Sequence, residues 1–88
     1  MTKDEIKATV LRLLGDVAPE ADLTRLNPDV GFRDQLDIDS MDFLNFVIAL
    51  HETLHVDIPE SDYPQVATLT RCVDHLAALL AGKNLTAS

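Results

Sequence analysis

Apolar residues recur three and four positions apart in three separate stretches of this chain, and nowhere do they alternate convincingly with polar ones over the length of a strand. That periodicity restricts the fold to helices packed on helices. Thr2 followed by Glu5 reads as a capping box, and Ile6, Val10, Leu13 and Leu14 then keep helical spacing, so a first helix is expected near residues 3–15 with Gly15 as its stop. The next twenty residues hold Pro19, Pro28 and Gly31, with Leu23, Leu26, Val30 and Phe32 as scattered anchors. They predict a long ordered loop, a feature that is uncommon and often functional. Asp39 or Ser40 can cap a second helix, which runs from Met41 to about Leu54 or His55 before Pro59 forbids continuation. Ser61, Asp62 and Pro64 suggest one short helical turn. Thr68 opens a last helix with Leu69, Cys72, Val73, Leu76, Leu79 and Leu80 on one stripe and Gly82 as its stop. The expected fold is all-α, a small helical bundle of three main helices plus one short helix, with a long loop after the first. It is read as a single domain over residues 1–88, with an ordered core of about 3–82 and a frayed end at 83–88.

Size and composition narrow the function. A chain of 88 residues at 47% hydrophobic is an ordinary globular composition, but one this short buries only about 60–65% of its unfolded surface and has little space for a deep enzyme cleft. The longest apolar run, Leu76 to Ala81, is far below the roughly 20 residues that cross a bilayer. The polar start, Met1-Thr2-Lys3-Asp4-Glu5, is no secretory signal, so a soluble, cytoplasmic protein is expected. The single cysteine, Cys72, cannot form an internal disulfide and lies on the apolar stripe of the last helix, where it reads as inert core.

Seven basic against fifteen acidic residues give a net charge of −8, which repels nucleic-acid phosphates and anionic lipid headgroups. The imbalance is local. Between Asp29 and Asp62 stand nine acids and one base, Arg33. Such a run is either a solvated face or a docking surface for basic proteins. The second helix favours the latter, because it carries two apolar stripes. Phe43, Phe46, Val47, Leu50 and Leu54 form one, and Met41, Leu44 and Ile48 form another about 140° away. Both cannot face one interior, so the second, shared with Asn45 and Glu52, is expected to be a contact patch unless the long loop covers Met41 and Ile48.

Ser40 stands where the long loop meets this helix, and its ordinary role there is an N-cap. Nucleophilic hydrolysis is disfavoured. His51 lies eleven residues further along the same helix, about 16 Å away. Asp37, Asp39 and Asp42 surround the serine with negative charge where an oxyanion needs donors. A free phosphate is repelled for the same reason, whereas a phosphate held covalently on Ser40 is not.

Leu36-Asp37-Ile38-Asp39-Ser40-Met41 resembles the attachment motif of acyl carrier proteins, in which Asp-Ser-Leu or Asp-Ser-Met opens the second helix. Phe46-Val47-Ile48-Ala49-Leu50-His51-Glu52 resembles that family's second helix, Val56-Asp57-Ile58-Pro59 the segment that closes it, and Thr68-Leu69 the entry to its last helix. The resemblance covers residues 3 to 81. It implies a non-catalytic carrier, with 4′-phosphopantetheine attached to Ser40 by a phosphopantetheinyl transferase and Asp39 and Met41 completing the motif. The arm's thiol would carry acyl groups as thioesters to fatty-acid, lipid or polyketide enzymes. Peptidyl carriers more often read Gly-Gly-His-Ser-Leu, so Asp39-Ser40 favours an acyl carrier. The expected docking face for basic patches on those enzymes is Asp37, Met41, Asp42, Leu44, Asn45, Ile48 and Glu52. The family usually has Gly where this chain has Asp37, so the local turn cannot rely on glycine's freedom at positive φ. A carrier needs no catalytic groups, since tethering raises the effective concentration of its cargo, and a monomer is expected.

Two rival readings stand beside this one. An unmodified acidic adaptor would present the same helix with Ser40 only as a cap. His51-Glu52-Thr53-Leu54-His55 matches the H-E-x-x-H zinc-protease pattern, but Pro59 ends the helix soon after, leaving His75, Glu60 or Asp62 as third ligands only by accident of packing. No metal is therefore expected in a dedicated site. The acidic cluster departs from the EF-hand template at its glycine and twelfth positions, leaving loose divalent-cation binding.

Overall fold

The computed structural model describes residues 1–87, with side chains through Gly82. Its elements are helical throughout the described residues: α1 (Lys3–Val17), a 3-10 turn (Leu23–Arg25), α2 (Phe32–Gln35), α3 (Ser40–Leu54), a 3-10 helix (Glu60–Val66) and α4 (Leu69–Ala87). The expected bundle of three main helices is present, and the single short turn after α3 proves to be a seven-residue 3-10 helix.

Thr2 and Glu5 form the capping box that the sequence suggests. Glu5 N–H donates to Thr2 Oγ1 at 3.2 Å, and Thr2 N–H to Glu5 Oε1 at 2.9 Å. The latter bond leads the causes that hold the Glu5 carboxyl below its ordinary pKa. Gly15 does not stop α1. The helix runs through it to Val17, keeping Ala18 packed in the core, and the break comes where Pro19 disfavours helical backbone at the residue before it. Gly82 is no stop either, since α4 continues to Ala87. The expected fraying at 83–88 concerns residues whose side chains, with all of Ser88, lie outside the described set.

The core gathers the predicted stripes: Ile6, Val10, Leu13 and Leu14 from α1, Phe46, Val47, Leu50 and Leu54 from α3, and Leu69, Cys72, Val73 and Leu76 from α4. α1 packs on both α3 and α4, and α4 also packs on the 3-10 helix. Burial pushes the Cys72 thiol up from its ordinary 9.0 to about 12.

The long loop is ordered by specific bonds and contains a helix the periodicity did not predict, α2. Phe32 is fully buried and its N–H donates to Ala67 O at 2.8 Å, while Thr70 N–H donates to Pro28 O at 3.0 Å. Gln35 holds the loop from within. Its Oε1 accepts from Asn27 N–H at 2.9 Å, and its Nε2 donates to Asn27 O at 2.7 Å and Val30 O at 2.9 Å. These ties fix the approach to α3.

Candidate functional site

The site is built where that loop delivers the chain to α3. Leu36 ends α2, and Ile38 N–H donates back to Leu36 O at 2.9 Å, closing a tight turn around Asp37. Among the described residues His55 is the one non-glycine with positive φ, so Asp37 makes this turn on the ordinary side of the map and glycine's freedom is not needed. Ile38 is buried and anchors the turn, leaving Asp37, Asp39 and Ser40 exposed.

Asp39, not Ser40, is the N-cap of α3. Its Oδ1 accepts from Asp42 N–H at 2.9 Å, and Asp42 Oδ2 accepts from Asp39 N–H at 3.3 Å, a second capping box written with two aspartates. Ser40 is the first residue inside the helix. Its hydroxyl is exposed and makes no side-chain hydrogen bond among the described residues, so the cap role open to it on sequence is already filled. Ser40 therefore stands exposed at a helix N-terminus, where unpaired N–H groups favour an anion.

The apolar face beside it is real but uneven. Met41 is 61% exposed and Ile48 44%, so the loop does not cover them. Leu44 between them is half-buried, Asn45 and Glu52 are exposed, and Asp42 is partly occupied by the cap. Ser40 also lines a groove of about 610 Å³ with Met41, Phe43 and Leu44 of α3 and Tyr63 and Pro64 of the 3-10 helix. Tyr63 and Arg33, which reaches the same groove, carry no signal in helical spacing, because one sits in a 3-10 helix and the other in the four-residue α2, too short to show a period.

The histidines serve elsewhere. α3 ends at Leu54, inside the H-E-x-x-H pattern, and His55 closes it in the left-handed conformation, φ 55° and ψ 46°. His51 Nδ1 lies 2.6 Å from Val56 O. His75 Nε2 lies 3.3 Å from Asp62 Oδ2, within ion-pair distance but not aligned as a hydrogen bond. Among the described residues no three His, Cys, Asp or Glu are gathered as metal ligands, and no helix is long and apolar enough to cross a membrane.

Comparison with known proteins agrees with this geometry. Residues 4–76 match the family model described as the phosphopantetheine attachment site. The chain is 30% identical over 79 residues to an acyl carrier protein of Acidothermus cellulolyticus, covering 88% of this chain and 90% of the relative. It is 28% identical over 76 residues to an acyl carrier protein of Lactobacillus johnsonii, covering 86% and 94%. A third, from Rubrobacter xylanophilus, is 25% identical over 76 residues, covering 86% and 93%. A free alcohol at a capped helix start, inside a matched span that takes in α1, α3 and the loop between them, places this chain in the acyl carrier protein family, non-catalytic carriers whose prosthetic group is phosphopantetheine.

Proposed function

We propose that Ser40 carries the 4′-phosphopantetheine arm and that the whole chain acts as one monomeric, cytoplasmic carrier domain for acyl groups. The observation that carries this reading is the division of labour at the start of α3: Asp39 and Asp42 satisfy the cap and leave the Ser40 hydroxyl exposed and uncommitted. Ser40 Oγ forms the phosphoester bond with the pantetheine phosphate of coenzyme A. The adenosine 3′,5′-bisphosphate portion leaves, and the hydroxyl proton passes to a base on the transferase. The arm's thiol then holds an acyl group as a thioester. Asp37, Asp39 and Met41 flank the attachment point, and the helix N-terminus favours the phosphodiester's charge.

The docking face for the transferase and for acyl-processing enzymes is Met41, Leu44 and Ile48, flanked by Asp37, Asp42, Asn45 and Glu52. Exposed apolar anchors among acids suit partners that must bind and leave quickly, since charge speeds encounter while the small apolar area keeps residence short. Asp42 is a poor position to probe this, because reversing its charge would also break the cap.

Incubation with coenzyme A and a phosphopantetheinyl transferase, followed by intact mass, tests the attachment. One phosphopantetheine adds to the wild type and none to Ser40→Ala, whose melting curve stays that of the parent. An unmodified adaptor would gain no mass in either form, and that result would overturn the reading. For the docking face, Asp37→Lys with Glu52→Lys should slow association with the transferase by about tenfold at low salt, with the difference shrinking as salt rises. Equal rates at low salt would remove these two charges from the interface.

A further inference from the structure

We infer that Tyr63, braced by Phe43, limits how far an acyl chain can bury itself in this carrier, so that the protein shelters short acyl thioesters and leaves the distal part of long chains in water. This rests on Ser40 bearing the arm. Two grooves lie along the side of α3 that faces the segment following it, the first also walled by Gly31, Arg33 and Asp34 at the start of α2. The first, of about 610 Å³, begins at Ser40. The second, of about 470 Å³, lies between Val47 and Ile48 on one side and Ile58 and Pro59 on the other. Tyr63 is the one described residue that lines both, and so forms the partition between them.

The partition is held from behind. Tyr63 meets Phe43 edge to face, with ring centroids 6.0 Å apart. Phe43 meets Phe46 at 6.2 Å, and Phe46 meets Phe32 edge to face at 5.5 Å. Phe46 and Phe32 are fully buried, so Phe43 has a packed wall at its back and cannot withdraw without disturbing the core. With the arm folded back so that its thioester lies at the Ser40 end of the first groove, an acyl chain runs along Met41 and Leu44 and meets the Phe43–Tyr63 pair before it reaches Val47. Aliphatic carbons gain from burial up to that point. Beyond it, added carbons bring no further protection.

The test loads the full chain from butanoyl, octanoyl and hexadecanoyl coenzyme A with a phosphopantetheinyl transferase, verifies each load by intact mass, and times thioester cleavage by hydroxylamine. In the wild type, cleavage slows from butanoyl to octanoyl and then levels, with hexadecanoyl within about twofold of octanoyl, less than one further buried methylene would give. Tyr63→Ala joins the two grooves and slows hexadecanoyl cleavage by about tenfold, the factor that burying two more methylenes supplies. Tyr63→Phe keeps the ring and behaves as the wild type. A wild-type hexadecanoyl thioester protected about tenfold beyond octanoyl, or a folded Tyr63→Ala whose hexadecanoyl thioester hydroxylamine cleaves at the parental rate, overturns the inference. Should Tyr63→Ala not fold, the wild-type length series decides by itself. Absence of any load overturns the attachment at Ser40 instead, a failure visible in the mass spectrum before any cleavage is timed.

Discussion

Replacing Asp39 by Ala removes the acceptor for Asp42 N–H and should cost about 1 kcal/mol in urea unfolding, whereas Asn keeps an acceptor in the same place and should cost a few tenths at most. If both substitutions cost the same, charge rather than the cap is what Asp39 supplies. Gly15 invites the opposite change. It sits inside α1, has no positive φ, and a Cβ there would touch Leu23 Cδ1 at an ordinary 3.5 Å, so Gly15→Ala should stabilise by about 0.5–1 kcal/mol. Its misreading as a stop has a plain cause: glycine ends helices by entering the left-handed region, and sequence alone does not reveal which glycines do. Cys72 gives a pH dependence. Below about pH 9 its thiol keeps its proton in both states; above that the unfolded chain ionises while the folded chain holds the proton to about 12. The folded state then binds more protons than the unfolded, so stability falls as pH rises through this window, by up to about 1.4 kcal/mol per unit. Denaturant midpoints from pH 8 to 11 should drop more steeply in the wild type than in Cys72→Ala.

At the scale of the element, the helices were legible and the segments between them were not. Helical spacing placed α1, α3 and α4, because each buries a stripe set by 3.6 residues per turn. It also separated the exposed Met41 and Ile48 from the buried Phe46, Val47, Leu50 and Leu54, although it made Leu44 more exposed than it is. Nothing in that spacing reports Gln35, whose bonds reach across eight residues to Asn27, or the α2 turn that presents it. The Asp39–Asp42 box escaped for a related reason, since the usual signature places Glu or Gln at its third position. Gln35→Ala leaves the carbonyls of Asn27 and Val30 and the amide of Asn27 without their partner. It should destabilise by about 1–2 kcal/mol, and hydrogen exchange at the Asn27 amide should quicken while the core amides of α1 keep their protection relative to global unfolding.

For the molecule as a whole, acidity is a standing cost of the function proposed for it. A net charge of −8 sits within a radius of gyration of 12.5 Å, comparable to the roughly 8–10 Å over which salt screens. The acids from Asp29 to Asp62 therefore repel one another through the fold as well as along it. Millimolar magnesium or calcium should raise the melting temperature by several degrees relative to sodium at matched ionic strength, which corresponds to about 1 kcal/mol for a domain of this size. Equal melting curves would show that diffuse screening accounts for the whole effect. Because the bonds that start α3 are made by Asp39 and Asp42, esterifying the neighbouring alcohol breaks none of them. On the attachment proposed for Ser40, the bare polypeptide could thus be synthesised, folded and stored as a finished scaffold, and a transferase would meet a helix start already formed in place of a chain it must first shape.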